Sequence, residues 1–69
     1  MIYVEYSDVK IIMDDVVSAL FEAGYNPKSQ ILAYLKLNNP NYITKHKNAR
    51  DKIKKLNQLE IEEYLLRMD

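Results

Sequence analysis

The chain has 69 residues and 8.2 kDa, no cysteine, one histidine, and ten acidic side chains balancing ten basic ones. That length accommodates a single domain, residues 1–69, and the cysteine count removes disulfides and, with one imidazole, makes a structural zinc site improbable. With 48% hydrophobic residues the chain is too apolar for disorder, and no run approaches the roughly 20 apolar residues that cross a bilayer.

Residues 1–7 form the first expected element, an extended arm. Ile2-Tyr3-Val4-Glu5-Tyr6 favours strand geometry but is short, and pairs only if it meets another edge. A helix follows, capped by Ser7 or Asp8. Val9, Ile12, Met13, Val16, Val17 and Leu20 share one face at 3–4 spacing, with Asp14, Asp15, Ser18 and Glu22 opposite. Gly24, the only glycine, marks its left-handed end.

Asn26-Pro27 opens a second helix, asparagine as cap and proline at the first position, where a missing N–H costs nothing. Ile31, Leu32, Tyr34 and Leu35 supply its apolar face, and Asn38-Asn39-Pro40 ends it. Pro40-Asn41-Tyr42-Ile43 reads as a tight connector of about one turn. A third helix is expected over residues 44–56, with His46, Ala49, Ile53 and Leu56 in one stripe. Asn57-Gln58-Leu59-Glu60 is a capping box opening a fourth helix, which buries Ile61, Tyr64, Leu65 and Met68 and pairs Glu63 with Arg67. The expected fold is all-α: a compact bundle of about four short helices over residues 8–68, with a helix-turn-helix-like core and an extended N-terminal arm.

A fold this small hides only about 60% of the surface its unfolded chain exposes, so burial nearly cancels against ordering entropy. Self-association is the remaining route to stability, and a homodimer is expected. Residues 1–10 lack the basic start and long apolar run of a signal peptide, so a cytoplasmic location is expected.

Charge is segregated along the chain. Residues 1–27 carry Glu5, Asp8, Asp14, Asp15 and Glu22 against Lys10, a net −4. Residues 28–56 carry eight bases against Asp51, a net +7, and residues 57–69 a net −3. The basic middle either attracts an anionic partner or pairs with the acidic segments. Its densest part, Lys45, Lys47, Arg50, Lys52, Lys54 and Lys55, is a candidate anion or partner surface, with a solvated face as the plain alternative. Helix, turn, basic helix also outlines a helix-turn-helix reader of nucleic acid. Against that stand a connector longer than the usual turn, bases spread around the helix, and a pI near 6.6.

Catalysis finds little support. Ser7, Ser18 and Ser29 lack a partner base, one glycine cannot make a phosphate loop, and Asp14 and Asp15 diverge on a helix. No catalytic residue, cofactor or metal ligand is expected. His46 reads as a structural hydrogen-bonder, with pH sensing or anion contact as alternatives. Of six tyrosines, Tyr34 and Tyr64 belong to the core, Tyr25 and Tyr42 pin connectors, and Tyr3 and Tyr6 in the arm are free to pack across a dimer seam.

Gly24-Tyr25-Asn26-Pro27, then Gln30-Ile31, Tyr34-Leu35, Pro40, Tyr42-Ile43, His46, Asn48-Ala49-Arg50 and Ile53, and finally Glu60-Ile61, Glu63 and Leu65 resemble the IreB family of small regulatory phosphoproteins of Firmicutes. The resemblance covers about residues 16–66, and GYNP…QI…Y with a later NAR is its most specific part. It implies a cytoplasmic, non-enzymatic, homodimeric regulator with a helical core. It further implies a membrane Ser/Thr kinase as partner, cell-wall stress signalling, cephalosporin tolerance and an undefined protein target. Family members carry their phosphorylated threonines in an N-terminal tail, typically in an Asp-Glu-Thr setting. Residues 1–8 of this chain contain no threonine; Thr44 is the only one, and Ser7 is the nearest hydroxyl.

Overall fold

The computed structural model describes residues 5–68. The expected strand-like stretch and Tyr3 therefore lie largely outside the described residues. Among those described there are four α-helices, two short 3-10 turns and no strand: α1 (Tyr6–Glu22), α2 (Pro27–Leu37), α3 (Ala49–Ile53) and α4 (Gln58–Arg67).

The long first helix organises the rest. Val9, Met13, Val16, Ala19 and Leu20 on α1 are buried, and α1 packs against α2, α3 and α4. It begins earlier than its cap signals suggest. Glu5, in extended geometry, precedes it without a side-chain cap. Ser7 and Asp8 thus lie inside the first turn, where the Asp8 carboxylate complements the positive helix end instead of capping it. Tyr6 is helical too. It packs against the core, and the Arg67 guanidinium sits 4.2 Å from its ring centroid, a cation–π contact. Tyr6 thereby finds within its own chain a site that the sequence does not offer it.

The end of α1 follows the glycine signal. Gly24 has φ +90°, its N–H donates to Phe21 O at 3.0 Å, and the Tyr25 N–H donates to Leu20 O at 3.0 Å. Those 5→2 and 6→1 bonds are the Schellman closure. Two residues later Asn26 Oδ1 accepts from the Ser29 N–H at 3.0 Å and Pro27 takes the first position of α2. One four-residue joint therefore ends one helix and starts the next. On α2 only Ile31 is fully buried, with Tyr34 and Leu35 partly so; Leu32, expected on the apolar face, is 49% exposed.

The expected turn at residues 40–43 forms: Pro40–Tyr42 is a 3-10 turn, with Asn39 Oδ1 accepting from the Asn41 N–H at 3.0 Å. The helix expected over residues 44–56 does not form as one piece. Thr44 and Lys45 are not helical, His46–Asn48 is a 3-10 turn, and α3 is only five residues long. Lys47 (φ 52°) and Asn48 (φ 61°) both occupy the left-handed region, which costs about 1–2 kcal/mol for a residue with a Cβ. Asparagine tolerates it; lysine has no such preference. The break lets Ile43 on one side and Ala49 and Ile53 on the other all reach zero exposure.

The fourth helix forms as its capping box directs. Asn57 Oδ1 accepts from the Glu60 N–H at 2.9 Å, and Glu60 Oε1 accepts from the Asn57 N–H at 2.8 Å. Ile61, Tyr64 and Leu65 are buried, and Arg67 pairs with Glu63 at 3.0 Å.

Candidate functional site

Most of the motif residues are committed to architecture. Gly24, Tyr25, Asn26 and Pro27 make the α1–α2 joint. The Gln30 side chain donates from Nε2 to Tyr42 O at 2.9 Å, tying α2 to the 3-10 turn that Pro40 begins. Arg50 donates from Nε to Ile43 O at 2.9 Å, and its backbone N–H donates to Thr44 O at 3.1 Å. Asn48 holds the left-handed turn, and Ala49 is fully buried, α3 being packed on α1. Tyr34 packs at the edge of the core. His46 departs from the expected core stripe: its side chain is 43% exposed, with Nε2 lying 2.9 Å from Glu22 Oε1. It is a hydrogen-bonding histidine on the surface, and the rest of that stripe, Ala49, Ile53 and Leu56, is buried.

Two surfaces remain for function. The first is the basic segment, which the fold sorts into two groups. Lys47 Nζ sits 2.8 Å from Oε1 and 3.1 Å from Oε2 of Glu22, and Lys52 Nζ lies 3.4 Å from Asp15 Oδ2. The acidic face of α1 thus neutralises two of the six bases. The Lys47 ammonium, and after it His46, holds the Glu22 carboxyl below its ordinary range. Lys45, Lys54 and Lys55 form no salt bridge among the described residues. Lys45 and Lys54 line a concave pocket of about 300 Å³ together with Asn48, Arg50 and Asp51.

A larger groove of about 670 Å³ lies between α2 and α4. Both helices lean on α1, which leaves the space between them open. Its apolar walls are Leu32 and Leu35 from α2 and Leu65 and Leu66 from α4. Leu66 is 87% exposed. Lys28 and Lys36 flank the α2 side, Gln58 and Glu62 the α4 side. Leu66 does not follow the α4 core stripe, and that departure is the signal by which the sequence could have marked this groove. Ile11 and Leu37, likewise off their helices' stripes, are exposed but do not line it.

A partly buried polar contact links α1 to α4. Tyr64 OH donates to Asp14 Oδ1 at 2.7 Å, and Lys10 Nζ donates to Asp14 Oδ2 at 2.7 Å. The Lys10 bond first, then the Tyr64 bond, holds the Asp14 carboxyl below its ordinary value, while burial and the same carboxylate push the Tyr64 hydroxyl up. Asp14 is thus a bracket between two helices and not a general base. Among the described residues no three His, Cys, Asp or Glu side chains converge as metal ligands, and no helix is long and apolar enough to cross a membrane.

Neither Ser7 nor the single threonine, Thr44, sits in a tail. Ser7 is on the exposed first turn of α1, and Thr44 Oγ1 accepts from the His46 N–H at 3.1 Å.

A UPF0297 protein of Lachnoclostridium phytofermentans is 48% identical over 58 residues, covering 84% of this chain and 66% of that relative's length. The family model described as IreB regulatory phosphoprotein matches residues 3–68, nearly the whole sequence. The chain belongs to the IreB family, whose members are described as regulatory phosphoproteins.

Proposed function

We propose that this protein is a non-enzymatic cytoplasmic regulator that acts through protein–protein contact as a homodimer, and that the α2–α4 groove is the face on which two copies meet. The observation that carries the proposal is the groove itself: the exposed Leu32 and Leu66 stand over the partly buried Leu35 and the buried Leu65, between walls of opposite charge. A groove with a basic side at Lys28 and Lys36 and an acidic side at Glu62 complements its own copy under a two-fold rotation, each α2 wall facing an α4 wall. Pairing would bury Leu32 and Leu66 and relieve the marginal stability of a chain this short.

The family's description as phosphoproteins supports a further part of the reading, that a Ser/Thr kinase of a cell-wall-stress pathway acts on this chain. Incubation with a family kinase followed by mass spectrometry tests that part. A gain of one phosphoryl group supports it, and an unmodified chain removes it for this sequence. The oligomer is tested separately by light scattering. Twice 8.2 kDa at micromolar concentration is expected for the unsubstituted chain, and a protomer mass for Leu66→Glu with its helicity intact. An 8.2 kDa species at every concentration up to millimolar would overturn the dimer.

A further inference from the structure

We infer that the pocket formed by Lys45, Asn48, Arg50, Asp51 and Lys54 is a binding site for a compact phosphate dianion, free or ester-linked. Its lining residues are all distinct from those of the α2–α4 groove, so the inference does not depend on the oligomeric state.

Three observations converge on it. Sorting of the basic residues comes first: Lys47 and Lys52 are tied to Glu22 and Asp15, whereas Lys45 and Lys54 are unpaired among the described residues and face one concavity. Arg50 is pre-oriented. Its Nε is held by Ile43 O and its backbone by Thr44 O, so this pocket-lining residue is fixed in place, and a guanidinium is the side chain best suited to grip a phosphate. The turn is also strained: two successive residues with side chains, Lys47 and Asn48, hold left-handed geometry, and strain of this kind concentrates at ligand sites.

Charge and size name the ligand class. Three cations and the Asp51 carboxylate leave the pocket at +2, matching the roughly −1.5 to −2 of a phosphate monoester at neutral pH. A volume of about 300 Å³ equals that of about ten liquid waters, room for a phosphate and the start of whatever it esterifies. A polyanion fits less well. A nucleic-acid backbone laid across this surface would meet Asp15 and Glu22 beside the paired lysines, while a compact dianion touches only the pocket.

The test is a two-dimensional NMR titration of the full chain with inorganic phosphate against chloride at matched ionic strength. Parallel arms use a phosphoserine peptide with its unphosphorylated twin, and a short oligonucleotide. Saturable shifts confined to the amides of residues 45–54 under phosphate are expected. A tighter phosphopeptide would place the natural source on a protein, and equal affinities would place it in solution. Lys45→Gln and Lys54→Gln should each weaken binding about tenfold, as loss of a charge-assisted hydrogen bond does, and Lys55→Gln, the neighbour outside the pocket, should leave it unchanged. Three results would overturn the site: no saturable shift at tens of millimolar phosphate, equal losses for Lys54→Gln and Lys55→Gln, or tighter oligonucleotide binding that also shifts Lys47 and Lys52.

Discussion

Replacing Gly24 with alanine isolates the energetics of the α1–α2 joint. Gly24 has φ +90°, and a Cβ built there meets no atom within 4 Å, so no side-chain clash enters the result. What remains is backbone. Left-handed geometry costs a residue with a Cβ about 1–2 kcal/mol, and +90° lies beyond the +50 to +70° that such residues tolerate best. Stiffening of the unfolded chain by alanine returns about 0.4–1 kcal/mol. The net loss is about 1 kcal/mol, which for a chain of this length lowers the melting temperature by about 4–8 °C. Far-UV circular dichroism melts of the two chains, at equal protomer concentration because assembly shifts the midpoint, measure it. An unchanged midpoint would refute the reasoning: it would mean that the chain leaves α1 without the left-handed residue, and that the 6→1 and 5→2 closure does not set the angle between α1 and α2.

Two further outcomes follow from other contacts. Tyr64→Phe keeps the ring buried and deletes only the 2.7 Å bond to Asp14; about 1 kcal/mol should be lost in urea titrations at neutral pH, since the half-exposed carboxylate can turn to water instead. Because the folded-state Asp14 carboxyl lies below its ordinary value of 3.8, its contribution is complete above that value and disappears as pH falls through the folded-state value. The gap between Tyr64→Phe and the unsubstituted chain should therefore narrow in acid, and a constant gap down to strongly acidic pH would contradict that role for Asp14. Asn57→Ala removes one half of the capping box at α4 and should cost about 1 kcal/mol, seen as earlier amide exchange in the first turn of α4; exchange no faster than before would show that the cap is idle.

Legibility in the sequence followed locality. The ends of α1, α2 and α4 rest on residues within a few positions of one another, and Gly24, Asn26-Pro27 and Asn57 with Glu60 each act as their chemistry dictates. The third helix was overextended because Ala49, Ile53 and Leu56 keep helical spacing with His46, although the chain upstream of Ala49 is pulled off that axis. Ile43 must reach the core and Arg50 must meet Ile43 O, and both demands are tertiary, the kind that override propensity. The same limit governs the candidate sites. Segregated charge leaves open whether the +7 segment meets the −4 segment or an outside anion, and which lysines Asp15 and Glu22 claim depends on contacts 25 and 37 residues apart. The α2–α4 groove is illegible for a related reason: Leu32 and Leu66 lie on different helices, each of which packs on α1.

The central position of α1 has a bearing on how the chain is made. A ribosome delivers this helix before the other three, so Val9, Met13, Val16 and Leu20 emerge ahead of the helices that cover them. Tyr64, which closes over Asp14, follows 50 residues behind it, some seconds later at roughly 5–20 residues per second. Until α4 emerges the nascent segment is an amphipathic rod in search of company, and any message cut short before that point yields a product that stays sticky for life.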